Sequence, residues 1–319
     1  MNNRIIFFFV TLLWISCTSD KKIKEEVMAV NVNVDIDRFD LKFAEATLDN
    51  WKELKAEYPM FFPEFYHDTI WVEKINDTLQ KQLEFETNKV FFDFSEYKSE
   101  IELLFKHVKF YFPEFNEPKV YTVISDVDYR NSVVWAEDML VMGLDNFLGK
   151  DHHFYVDISR YITKNLTPEQ LLPKTAEQLA IPIIRPPTNN TFIEKMVYYG
   201  KVLYLKELFL PLYDEDKIIG YTPEELDWAR ANESEIWRYF IEKELLFNTQ
   251  QNIDSRFLFD APFSKFYLEL DNESPGRLGQ YIGWQIVKAY MDNNTVELRQ
   301  MLEAKGEFIF QNSKFKPRK

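Results

Sequence analysis

The sequence predicts a predominantly helical α+β fold in which a small central sheet is flanked by helices on either side in the chain. Three observations point there: short β-branched runs confined to residues 119–143, helical apolar spacing before them, and explicit helix-start signals from residue 167 onward. In order, Val30, Val32, Val34 and Ile36 alternate with Asn31, Asn33, Asp35 and Asp37, the period of a strand with one wet face. Residues 42–58 and 97–110 have helical spacing, closed by the Pro63 region and by Pro113. Residues 119–125, 133–135 and 139–143 are apolar or β-branched runs separated by Asp and Asn, which reads as a small sheet. Thr167-Pro168-Glu169-Gln170 and Thr222-Pro223-Glu224-Glu225 each place Thr at an N-cap, Pro at the first helical position and Gln or Glu at the third. Between them, a helix over 191–210 carries Gly200 at its centre. A mid-helix Gly costs about 1 kcal/mol relative to Ala, so a close neighbour is expected there. Residues 224–247 read as one core helix through Ile236, Trp237, Phe240, Ile241 and Leu245. Ser274-Pro275-Gly276-Arg277 reads as the cap of a further helix, with Leu278, Ile282, Ile286, Ala289 and Tyr290 in one apolar stripe. Gly279 and Gly283 lie one turn apart in it and would admit a neighbouring backbone.

Composition narrows the function classes. With 29 Phe, 7 Trp and 17 Tyr in 319 residues, the chain can bury a large core, and general disorder is excluded. A net charge of -14 argues against an electrostatic grip on nucleic acid, and eight glycines argue against a Gly-rich nucleotide-binding fold. One cysteine permits neither an internal disulfide nor a cysteine zinc cluster.

The N-terminus is the most specific signal. Arg4 precedes an apolar run from Ile5 to Ile15, which is too short to span a bilayer and reads as a signal-peptide core. It runs into Trp14-Ile15-Ser16-Cys17, which resembles a bacterial lipobox, with Trp14 standing where Leu is usual. The sole cysteine is therefore expected to carry the lipid. Residues 1–16 would be the signal peptide, 17–29 a polar tether after lipidated Cys17, and 30–319 a single globular domain. Acyl chains contribute about 0.8 kcal/mol per buried methylene, so such an anchor would be permanent. The membrane is thus one expected partner.

Chemistry is harder to find. His152-His153 are adjacent and cannot easily chelate one metal, and Gly-x-Ser-x-Gly, Walker, Rossmann and His-Glu-x-x-His motifs are missing from the sequence. No cofactor is expected. Most carboxylate pairs in so acidic a chain are solvated faces.

The run Tyr198-Tyr199-Gly200-Lys201-Val202-Leu203-Tyr204, then Ile219-Gly220-Tyr221-Thr222-Pro223-Glu224, then Glu235-Ile236-Trp237-Arg238-Tyr239-Phe240-Ile241-Glu242 form an ordered pattern. It continues in Glu273-Ser274-Pro275-Gly276-Arg277, Gly283-Trp284-Gln285-Ile286-Val287 and the ending Ser313-Lys314-Phe315-Lys316-Pro317-Arg318-Lys319. This pattern resembles the GldB family, gliding-motility lipoproteins of gliding Bacteroidetes. The resemblance implies a lipoprotein needed for gliding, in a machinery coupled to type IX secretion, with unidentified gliding and secretion proteins as partners and no enzymatic activity. An outer-membrane anchor facing the periplasm is the expected location.

A distant second resemblance is to zincin metallopeptidases, which would make the fold a degenerate zincin. Ala176-Glu177-Gln178-Leu179-Ala180 would stand where those enzymes carry two zinc-binding histidines around a catalytic glutamate, with Tyr199 at the third ligand position. Alanine cannot bind zinc, so this resemblance implies a relic pocket of Ala176, Glu177, Ala180 and Tyr199. A buried Glu177 would then need a new partner, and the Tyr199 hydroxyl is the expected donor, in direct or one-water contact. Lys201 would point away, to a helix end or to solvent. The alternative reading is a cell-envelope hydrolase of zincin ancestry with an unrecognised active site.

Overall fold

In the computed structural model, residues 23–319 are described apart from Glu137 and Leu270. Cys17 and the signal sequence lie outside the described residues.

Four strands form one mixed sheet: β1 (Ile36–Asp37), β2 (Lys119–Val123), β3 (Val133–Ala136) and β4 (Met139–Gly143), in the order β1-β2-β4-β3. β1 and β4 run parallel to β2, and β3 closes the far edge antiparallel to β4. The side-chain alternation of β2 and β4 serves two cores. Val120, Leu140 and Met142 enter the main helical core on one face. Tyr121, Val123, Met139 and Val141 point the other way, into an aromatic cluster of Phe39, Phe43, Tyr58, Phe62 and Trp71. The buried Asp40 carboxylate ties that layer to the sheet by accepting from the Thr122 hydroxyl (2.5 Å) and pairing with Arg38 (2.7 Å).

The expected strand from Val30 shrinks to two residues. Val34 is buried in the core, but only Ile36 and Asp37 find a partner strand, since β2 begins at Lys119. The helix expected over 42–58 is two helices, Phe39–Ala44 and Trp51–Glu57, separated by a turn in which Thr47 N–H donates to the Asn50 side chain (2.7 Å). The helix read at 97–110 spans Ser95–Tyr111.

C-terminal to the sheet the chain is helical. Helices Leu171–Ala180, Phe192–Phe209 and Leu278–Asn293 pack together, and the last two cross at glycines. A Cβ on Gly200 would strike the Gly283 carbonyl group and lie 2.7 Å from Trp284 N; one on Gly283 would strike the Met196 carbonyl. Gly279 sits beside Phe257 O and Leu258. The 224–247 segment breaks at Asn232 into helices Pro223–Ala231 and Glu233–Glu242. Its capping box is formed: Glu225 N–H donates to Thr222 Oγ1 (3.2 Å) and Thr222 N–H to Glu225 Oε2 (2.8 Å). At Thr167 the same motif yields only a 3-10 turn, Pro168–Gln170, without a side-chain cap.

The Ser274-Pro275 cap is not formed either. The Ser274 hydroxyl bonds Asp271 O (2.7 Å) and Ser264 O (3.2 Å), and the helix starts three residues later behind Arg277, whose φ of 58° is left-handed. The Phe192–Phe209 helix also secures the C-terminal segment. Lys201 Nζ donates to Leu302 O (2.9 Å) and Ala304 O (2.6 Å), satisfying the end of helix Leu298–Glu303. Glu194 accepts from Glu307 N–H (3.1 Å) at the start of helix Gly306–Ser313.

Candidate functional site

A polar cleft of about 250 Å³ opens where the Leu171–Ala180 and Phe192–Phe209 helices meet the loop and first turn that lead into Leu278–Asn293. Each element contributes by helical spacing. Lys174 and Glu177 lie three apart on the first helix, and Tyr199, Val202, Leu203 and Lys206 follow the i, i+3, i+4, i+7 stripe of the second. Leu258, Phe259, Asp260, Arg277 and Gln280 complete the wall.

Glu177 and Tyr199 therefore share one cavity, and the direct donor to Glu177 is a lysine rather than the phenol. Lys206 Nζ donates to Glu177 Oε2 at 3.4 Å, and Lys174 approaches the same oxygen at 3.5 Å. An ammonium outcompetes a phenol because it brings a full charge to a partly buried carboxylate. The signal was present in the sequence: Lys206 stands two turns after Tyr199, on the same face. Lys174, Asp260 and Arg277 were also missed, the last two because a loop carries them in from far along the chain.

The charges reshape one another. Burial pushes the Glu177 carboxyl upward, but Lys174, Lys206 and Arg277 outweigh it and hold it at about 2. Burial together with the neighbouring cations lowers Lys206 to about 8 despite Glu177. Arg277 bonds Asp260 (3.1 Å) and Gly220 O (3.0 Å). Its left-handed backbone is pinned from both sides: the Tyr221 hydroxyl donates to Gly276 O (2.5 Å), and the Ser264 hydroxyl donates to Pro275 O (2.8 Å) and accepts from Leu278 N–H (3.4 Å).

Ala176 and Ala180 are fully buried and do not reach the cavity wall. They offer no ligand atom, and among the described residues there is no group of three or more His, Cys, Asp or Glu that could hold a metal. The donor set does not fit zinc. The His152 and His153 rings lie 4.4 Å apart, tilted by 32°, with His152 beside Glu86 at 3.5 Å.

The family model described as gliding motility protein GldB matches residues 20–317, nearly the whole chain. The chain belongs to the GldB family. It is thereby a gliding-motility protein, and the family model carries a lipoprotein designation. No curated protein and no solved structure matches it. Among the described residues of this GldB chain no helix is long and apolar enough to cross a membrane. The ordered runs that carried the resemblance have places in the fold: Tyr198–Tyr204 is the centre of the glycine crossing, and Arg277 is the strained residue in the wall of the cleft.

Proposed function

We propose that the protein is a lipid-anchored, periplasm-facing component of the gliding and type IX secretion apparatus, and that it acts by holding partner proteins rather than by catalysis. The observation that carries this reading is its exposed aromatic surface. Phe65 is 79% exposed and packs on the exposed Tyr66 at 4.3 Å, with Met60 and Ile70 exposed in the same segment. Phe92 is 78% exposed and lies two helical turns from the exposed Phe85. Exposed aromatic groups of this kind suit protein docking.

Glu177, the residue at the general-base position of the hydrolase alternative, favours the non-catalytic half of the reading. A general base works best with a pKa near the operating pH, and a carboxylate held at about 2 by ion pairs is a weak one. The test is complementation of a deletion strain. Loss of the chain should stop gliding, Glu177→Gln should restore it, and Phe65→Ser with Tyr66→Ser should not, at equal protein levels. Gliding that survives deletion would overturn the role, and a folded Glu177→Gln protein unable to support gliding would favour the hydrolase.

A further inference from the structure

We propose that the cleft is a binding site for a small organic acid, with the carboxylate facing Lys206 and Arg277 and the apolar portion lying against Leu203, Leu258 and Phe259. Neither the gliding role nor the docking surface requires such a site.

The first ground is the state of Lys206. Its side chain is only 6% exposed, and among the described residues its ammonium makes a single hydrogen bond, 3.4 Å long, to Glu177. An ammonium has three protons to donate, and leaving a buried one under-satisfied costs stability. The second ground is the charge balance. Lys174, Lys206 and Arg277 face Glu177 and Asp260, and Asp260 is 59% exposed and engaged by Arg277. One positive charge is left over, which matches a single carboxylate.

The third ground is space and lining. A water molecule occupies about 30 Å³ of liquid, so a cavity of 250 Å³ has room for a solute of roughly ten non-hydrogen atoms. Val202, Leu203, Leu258 and Phe259 give it an apolar side, and Tyr199 also lines it. The fourth ground is the cost already accepted at Arg277. A non-glycine residue in the left-handed region persists only when its surroundings impose it, and such residues cluster at ligand clamps. Here the Ser264 and Tyr221 hydrogen bonds impose it, and the result is a guanidinium fixed at the cavity wall.

Glu177 occupies part of the cationic field and would compete with the ligand. Its neutralisation should therefore tighten binding, the reverse of what a purely structural ion pair would give. The test titrates the detergent-solubilised full chain by calorimetry with N-acetyl-leucine, N-acetyl-leucinamide and inorganic phosphate. The acid should bind at least about tenfold more tightly than the amide, and Glu177→Gln should improve the acid's affinity severalfold. Lys206→Met should cost at least about tenfold, and Lys206→Arg should restore most of it. If Lys206→Met fails to fold, the direction of the Glu177→Gln effect decides. Equal binding of acid and amide, no binding of the acid, or weaker binding by Glu177→Gln would overturn the proposal. Phosphate binding as tightly as the acid would overturn the apolar half and reduce the site to a bare oxyanion pocket.

Discussion

Placing a methyl group at the Gly200–Gly283 crossing tests the central packing of the molecule. Two opposing effects follow Gly200→Ala. Alanine favours the helix by about 1 kcal/mol through lost unfolded-state freedom. Against this, the new Cβ would overlap the Gly283 carbonyl and sit 2.7 Å from Trp284 N, both of them backbone atoms that cannot rotate aside. Relief requires the Phe192–Phe209 and Leu278–Asn293 helices to move apart, and over-packing of this kind costs about 1–3 kcal/mol before contacts among Met196, Val197, Ile282 and Ile286 are loosened. We expect net destabilisation of about 2 kcal/mol for Gly200→Ala, more for Gly200→Leu, and more again for Gly283→Ala, whose Cβ would overlap the Met196 carbonyl. In a chain of this size each kcal/mol moves the midpoint by roughly 2 °C, so Gly200→Ala should melt about 4 °C lower. The double alanine variant should cost less than the sum, because one displacement relieves both overlaps. A midpoint unchanged or raised by Gly200→Ala would show that helix propensity dominates and that the crossing can open freely.

Buried Lys201 and Lys206 are both lowered to about 8, chiefly by burial, from an ordinary value near 10.5. Between pH 8 and 10 the unfolded chain therefore binds more protons than the folded one, and stability should rise by on the order of 2–3 kcal/mol per lysine. Buried Tyr221 and Tyr281, held above the usual tyrosine range, reverse the trend above about pH 10. Denaturant midpoints across this range should peak near pH 10, and a Lys206→Met protein showing the full wild-type rise would contradict the assignment. Thr222→Ala should cost about 1 kcal/mol, whereas Thr167→Ala, which removes no cap, should stay within about 0.5 kcal/mol; equal losses in urea unfolding would contradict the difference seen between the two motifs. Cys17→Ala should abolish palmitate labelling and leave the precursor unprocessed, and persistent labelling would remove the lipid anchor.

What the sequence determined by itself is what short-range physics decides. Residues 119–143 read as a sheet because β-branched runs bounded by Asp and Asn have few other local options, and β2, β3 and β4 formed there. Thr222-Pro223-Glu224-Glu225 read as a cap because all of its hydrogen bonds lie within four residues. Other features depended on partners that the chain supplies only from a distance. Val30 to Ile36 alternates along its whole length, yet pairing stops at two residues because a strand needs a neighbour and β2 begins at Lys119. Ser274 has the chemistry of a cap, but its hydroxyl bonds Asp271 and Ser264 once the loop closes, and the helix starts behind Arg277. The cleft was half legible: the zincin resemblance put Glu177 and Tyr199 in one pocket, where both lie, together with Ala176 and Ala180, which do not line it, while the choice of Lys206 as partner was made by tertiary structure. A carboxylate takes the strongest donor that packing brings within reach, and Coulomb attraction between side chains 29 residues apart acts only after the two helices have met.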